Sequence, residues 1–324
     1  MLKKLRYPRL LALVSTTILM LFMSACAQHS GERFVLITTN KQVPYWQAAR
    51  AGLDDAAGAM KIQVAFDGPD AYEPKGEVEA IRAAVKSKVS GIIISAADPV
   101  LMKPEIDAAI QAGIPVITID SDAPGSKRLL FVGTNNYQAG LLGGEAAAKA
   151  MNGKGAVVVF TMPNQANLEE RLQGYRATFS KYPGIKIDRV VDIKGDPRIA
   201  FDTTQSIVDH KEKIDGFICL EALAGKEVAS VLTQNHVTDK KIVAMDTDSD
   251  TLDFVAKGAI AATVAQKPYT MGYFGLQLAD MLHHHPSAQH SQDWGADPRS
   301  PLPAFVDTGV TLVDKNNVSA FQKK

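Results

Sequence analysis

Short apolar runs alternate with longer amphipathic stretches along most of the chain, and the alternation is regular. Runs at Phe34–Thr39, Ile62–Phe66, Gly91–Ser95, Pro115–Ile119 and Leu130–Val132 have the length and Ile/Val character of strands buried on both faces. Between the first four, apolar positions recur at helical spacing near Tyr45–Met60, Pro74–Lys88 and Val100–Ala112. The scheme then repeats. Strands are expected at Ala156–Phe160, Ile185–Val191, Gly216–Cys219, Lys241–Met245 and Ala262–Ala265. Helices are expected near Asn136–Met151, Asn167–Lys181, Ala200–Lys211, Ala222–Asn235, Asp250–Lys257 and Tyr269–Leu282. Strand–helix alternation predicts an α/β fold with parallel sheets covered on both faces. Two passes through it predict two doubly wound lobes, with binding residues in loops at the carboxyl ends of the strands.

The halves echo each other at such an end. Ile117-Thr118-Ile119 closes on Asp120, and Val243-Ala244-Met245 closes on Asp246. A single Asp there is as readily a helix cap as a ligand contact; its recurrence in both halves favours contact.

Ahead of the first strand the pattern changes. Lys3, Lys4, Arg6 and Arg9 precede the uncharged apolar stretch Leu10–Met23, which runs into Ser24-Ala25-Cys26. A basic head, a short apolar run and small residues before a cut site make a secretory signal. The run is shorter than the roughly 20 residues that span a bilayer. The cysteine after the small pair resembles a bacterial lipoprotein signal. That resemblance implies removal of residues 1–25, a lipid on Cys26, and residence in the cell envelope or periplasm; plain secretion and an uncleaved anchor are the alternatives.

Composition then narrows the function. Lys+Arg and Asp+Glu number 35 each, so no charge excess points to nucleic acid. Removing 25 residues from 324 leaves 299, room for two lobes of ordinary domain size. With Cys26 lipidated, Cys219 is the other of two cysteines and no intrachain disulfide is available. Its apolar strand-end setting fits a small buried side chain rather than a nucleophile. There is no Walker loop, GxGxxG after a strand, GxSxG or HExxH, so neither a cofactor nor enzyme activity is expected. His283-His284-His285 with His290 has the composition of a metal tract. Consecutive side chains on a helix diverge, however, so a solvated helix end and no metal site are expected. Gly140, Gly143 and Gly144, inside a helical pattern, are expected to permit close packing.

An ordered series of segments carries a family resemblance. It opens with Thr38-Thr39-Asn40-Lys41-Gln42-Val43-Pro44-Tyr45-Trp46, followed by Gly91-Ile92-Ile93-Ile94-Ser95 and Ile114-Pro115-Val116-Ile117-Thr118-Ile119-Asp120. Val132-Gly133-Thr134-Asn135-Asn136, Glu170-Arg171-Leu172-Gln173-Gly174-Tyr175, Val243–Asp246 and Gly258–Gln266 continue it. Over Phe34 to about Leu282, and again near Phe305–Val313, the chain resembles the periplasmic solute-binding proteins of the ribose and galactose type. These are the binding components of ABC sugar importers.

The resemblance implies two lobes joined by three crossovers near Thr134, Gln266 and Phe305. The lobes are then 34–134 plus 267–304 and 135–266 plus 305–324, preceded by a lipidated linker at 26–33. It implies a sugar between Tyr45 and Trp46 as stacking rings, with Asp120, Arg171, Asp246 and Gln266 on its hydroxyls. Asn167, one turn before Arg171, is expected either to join them or to cap its helix, with Thr134 and Ser95 as weaker candidates. Flat rings suit the C–H faces of a sugar, and planar Asp and Arg groups suit its hydroxyl rim. The pattern departs at Ser121, where relatives of the ribose type carry Arg, and at Gly195, near where they supply an aromatic. Val43 replaces a polar residue. Glu221 replaces Asn or Asp, and is expected either to meet an additional donor on the ligand or to cap the following helix. The implied function is capture of a small sugar and its delivery to an ABC permease by a lipid-anchored monomer. A sensor presenting its closed form to a chemotaxis or kinase receptor is the alternative. A repressor core of the same fold lacks its helix-turn-helix here, and a hydrolase lacks a recognisable triad.

Overall fold

The computed structural model describes residues 31–286 and 300–322; the signal stretch, Cys26 and His290 lie outside the described residues. In chain order the first half gives β1 (Arg33–Ile37), α1 (Pro44–Met60), β2 (Gln63–Asp67), α2 (Pro74–Lys86), β3 (Gly91–Ile94), α3 (Pro99–Gln111), β4 (Val116–Ile119) and β5 (Phe131–Gly133). Next come α4 (Asn136–Ala150), β6 (Lys154–Thr161), α5 (Ala166–Phe179), β7 (Gly184–Asp192), α6 (Pro197–Asp209), β8 (Gly216–Cys219) and α7 (Ala224–Gln234). The chain continues through β9 (Lys241–Met245), α8 (Ser249–Lys257), β10 (Ala262–Ala265), α9 (Pro268–His284), β11 (Phe305–Asp307) and β12 (Thr311–Val313). Five helices, α1, α2, α3, α6 and α9, begin on proline, whose fixed φ and missing N–H suit a first helical turn.

The strands form two sheets of the same winding, ordered β11-β5-β4-β3-β1-β2 and β12-β10-β9-β8-β6-β7. All pairings are parallel except β12, which runs antiparallel to β10 at the edge. The apolar runs are continuous because both faces of each sheet are covered. In β1, Phe34 and Leu36 pack with Trp46, Leu53 and Met271 of α1 and α9, while Val35 and Ile37 turn to Ile81 and Met102 of α2 and α3. The second sheet is buried the same way, around Val157, Phe160, Phe217 and Val243.

The chain passes between sheets three times, after β5, after β10 and after β11. The third passage differs from the sequence expectation. Phe305, Val306 and Asp307 pair with β5 in the first sheet, so the crossing falls at 308–310 and the second lobe takes the chain from there. Phe305 stacks on Phe131 with ring centroids 5.2 Å apart, which holds the short strand to the first lobe.

Each lobe contains one helix pair in very close contact, α1 with α9 and α4 with α5. A Cβ on Gly52 would lie 2.0 Å from the Tyr269 carbonyl oxygen, and one on Gly140 would lie 2.1 Å from that of Arg171. Only glycine lets these backbones approach so closely. In both lobes the tight pair includes the helix that carries the site: Tyr45 and Trp46 on α1, Asn167 and Arg171 on α5.

Candidate ligand-binding cleft

The carboxyl ends of the two sheets face each other across a cavity of about 520 Å³, open mouth included. Asp120 ends β4 on one side and Asp246 ends β9 on the other, and both are left-handed, at φ 60° and 69°. Asp tolerates that region better than most residues but still sits there at a cost of about 1 kcal/mol. The fold imposes it: the Asp120 N–H donates to the Val132 carbonyl at 3.2 Å and the Asp246 N–H to that of Val264 at 2.9 Å. The paired strand ends of the sequence are thus a structural repeat, each aiming a carboxylate into the cleft.

Asp120 is surrounded by donors from both lobes. Tyr45 Oη donates to Oδ1 at 2.7 Å, while Ser95 Oγ and Asn167 Nδ2 donate to Oδ2 at 3.4 and 3.3 Å. The Asn167 bond crosses the cleft, so the lobes are closed on one another. Trp46 meets Tyr45 edge to face, with centroids 5.1 Å apart. Both rings line the cavity.

The opposite wall is organised around Arg171. Its Nε donates to Asn136 Oδ1 at 2.8 Å, Nη1 to the Leu220 carbonyl at 2.7 Å and Nη2 to Gln266 Oε1 at 2.7 Å. Gln266 is thereby fixed, and its Nε2 donates to Asp246 Oδ1 at 2.9 Å. Of the two expectations stated for Glu221, the helix cap is met. Its carboxylate accepts the Leu223 and Ala224 N–H groups at 2.5 and 2.9 Å, capping α7, and it also lines the cavity.

One guanidinium faces three buried carboxylates. Burial pushes Asp246 and Glu221 up to about 7 each, against the opposing pull of Arg171. Burial also raises Asp120, with Arg171 and the Tyr45 hydrogen bond holding it back. A closed, buried cleft with surplus carboxylate calls for hydroxyl or other hydrogen-bond donors on whatever occupies it.

Of the residues singled out in the sequence, Tyr45, Trp46, Asp120, Asn167, Arg171, Glu221, Asp246 and Gln266 all line this one cavity. Thr134 does not. It stands behind Gln266, donating to Oε1 at 2.9 Å, and so supports the wall rather than forming it. Ser95 supports Asp120 in the same way. Tyr72 and Gln165 line the cavity and were missed. Tyr72 carried a signal, an aromatic in the polar loop after β2 at the ligand edge of the sheet. The gap at Gly195 is explained by it: a Cβ there would lie 2.4 Å from Tyr72 Cβ. Near where relatives of the ribose type supply an aromatic from the second lobe, this cavity is lined by a ring from the first.

Two doubly wound lobes closed over a polar cleft define a bilobal solute receptor. The chain belongs to the periplasmic binding protein family, whose periplasmic binding protein domain matches residues 34–284. Members of this family bind substrates rather than transform them, and they work outside the inner membrane. Among similar proteins is the D-allose-binding periplasmic protein of Escherichia coli K12, 23% identical over 82% of this chain and 88% of that protein. An arabinose-binding protein from Geobacillus stearothermophilus is 35% identical, with a TM-score of 0.73 over 90% of this chain and 99% of that one. A solute-binding protein from Burkholderia graminis, solved with D-arabinose, is 28% identical with a TM-score of 0.81 over 90% and 98% of the two chains.

Proposed function

We propose that this protein captures a neutral monosaccharide between its lobes and delivers it to an ABC permease. The observation that carries the reading is the disposition of Asp120 and Asp246 on opposite lobes, with Arg171 between them and Tyr45 and Trp46 alongside. Hydroxyls on the ligand donate to the carboxylates and accept from the guanidinium, and the rings cover an apolar sugar face. An anionic ligand would meet three carboxylates. Passages after Gly133, Ala265 and Asp307 serve as the hinges, and a ligand touching both lobes favours the closed form. Micromolar affinity requires only about 8 kcal/mol net. A lipid on Cys26 keeps the monomer beside its permease.

A thermal-shift screen of the mature chain against pentoses, hexoses, polyols and nucleosides tests this. A true ligand stabilises by about 2.7 kcal/mol at a hundred times its dissociation constant. D-Arabinose and D-allose, which appear with the relatives above, are the first probes. A shift with one sugar that disappears in Asp120→Asn supports the reading. No shift with any sugar, or an undiminished shift in that variant, overturns it.

A further inference from the structure

The histidine tract at the end of α9 was expected to be a solvated helix terminus. Its three members have separate environments. His283 meets the edge of Phe34, with ring centroids 5.9 Å apart, and His285 follows the last helical residue. The His284 ring meets that of His283 edge to face, with centroids 5.2 Å apart, but turns its Nε2 to two carboxylates. Its Nε2 lies 3.2 Å from Glu32 Oε2 and 3.3 Å from Asp280 Oδ1. Glu32 immediately precedes β1, and Asp280 stands one helical turn before His284 on α9, so two separate segments contribute.

From this arrangement we infer that Glu32, Asp280 and His284 form a divalent metal site, with Zn²⁺ the ion of best fit. Two metal–ligand bonds of about 2.1 Å place their donor atoms about 3.4 Å apart at a tetrahedral angle and about 3.0 Å apart at a right angle. The spacings from His284 Nε2 fall between these values, and all three donor atoms lie within 4.8 Å of one another. One imidazole with two carboxylates is a donor set for a borderline first-row ion rather than for a soft one. The side chains are 29%, 15% and 15% exposed, sheltered but open enough for water to complete the shell.

The site is remote from the cleft. It lies at the far end of α9, about 25 Å of helix from the turn that follows Gln266. Glu32 is six residues beyond Cys26, so a bound ion fastens the root of the proposed tether to the last helix of the first lobe. The ion leaves the sugar-binding wall untouched.

The full-length chain, purified without a polyhistidine tag and stripped with chelator, is titrated with Zn²⁺ and with Co²⁺. One ion per chain is expected, with a rise in unfolding temperature and visible Co²⁺ absorption of a nitrogen–oxygen site. His284→Ala should abolish both, and Glu32→Gln and Asp280→Asn should each weaken binding at least tenfold. His283→Ala and His285→Ala should leave it unchanged. The site is refuted if the wild type takes up no Zn²⁺ at 100-fold molar excess, or if His284→Ala binds as the wild type does. It is equally refuted if the loss follows His283 or His285, which would indicate chelation by the tract itself. Circular dichroism of each variant separates lost binding from lost fold.

Discussion

Asp246 and Glu221 hold the clearest electrostatic tension at the scale of single residues. Each is a carboxyl lifted by burial to about 7 from an ordinary value near 4. The sign follows directly. Below about pH 4 the group is protonated in folded and unfolded chains alike, and its contribution to stability is at its maximum. As pH rises toward 7 the unfolded chain has released the proton while the closed fold retains it, so stability falls. Above 7 the loss is complete. Urea denaturation of the unliganded chain at pH 5 and pH 8 should therefore show lower stability at pH 8. Asp246→Asn, which removes the ionising group while keeping its shape, should narrow that difference. The same variant should weaken sugar binding at least tenfold, since a hydrogen bond to a charged acceptor is worth about 1.5–3 kcal/mol. A variant with the wild-type pH profile would show that Asp246 is hydrated and not buried as described. Sequence patterning made Asp246 and its counterpart Asp120 legible because both close apolar strands, where ligand edges lie. Their shared left-handed conformation and their common dependence on Arg171 were not legible, since both arise from contacts between distant segments.

Elements were legible to the extent that they bury a periodic face. The first ten strands and all nine α-helices of the described residues fall where the apolar pattern places them, within a few residues at each end. The misplaced boundary involves β11 and β12, which have three residues each. Runs so short have no period to detect, and β11 is fixed to the first sheet by its pairing with β5 and by a ring stacked on Phe131. The helix pairs carry a prediction at this scale. Gly140→Ala would drive a methyl group into the Arg171 carbonyl and force α4 and α5 apart. Overpacking of this kind costs about 1–3 kcal/mol, and because the displaced backbone belongs to Arg171, sugar affinity should fall as well. Gly58→Ala is the matched control: it lies within α1, with nothing within 4 Å of the added methyl. That change should be neutral or stabilising by up to about 1 kcal/mol. Urea midpoints of the two variants distinguish a packing requirement from a general intolerance of alanine.

For the whole molecule, the decisive contacts are those between lobes. Asn167 of α5 reaches Asp120 of the first lobe, and Tyr72 of the first lobe packs against the core of the second. Tyr72 Oη also donates to the Ala97 carbonyl at 3.3 Å, which anchors the ring to its own lobe while its body faces Gly195. The Tyr72 ring thus comes from the lobe opposite the one that carries Gly195, which makes Gly195 a requirement of closure rather than a missing side chain. Gly195→Ala should therefore obstruct closing. A methyl group there meets Tyr72, and at φ 72° alanine adds local strain within the second lobe. Tyr72→Gly in the same chain separates these effects, because it removes Cβ, the atom nearest the added methyl, but not the strain. The expected result is that Gly195→Ala weakens binding of the sugar identified by the screen at least tenfold and reduces the ligand-induced compaction measured by small-angle scattering. In the Tyr72→Gly background, Gly195→Ala should add little further loss, a non-additivity that a double-mutant cycle reports directly. Fully additive losses would mean that the two residues do not meet in the closed form, and the ring would then be a wall of one lobe only. A strong coupling would make Tyr72 the point at which the closing motion and the shape of the ligand are sensed together, since the same ring lines the cavity and fills the notch at Gly195.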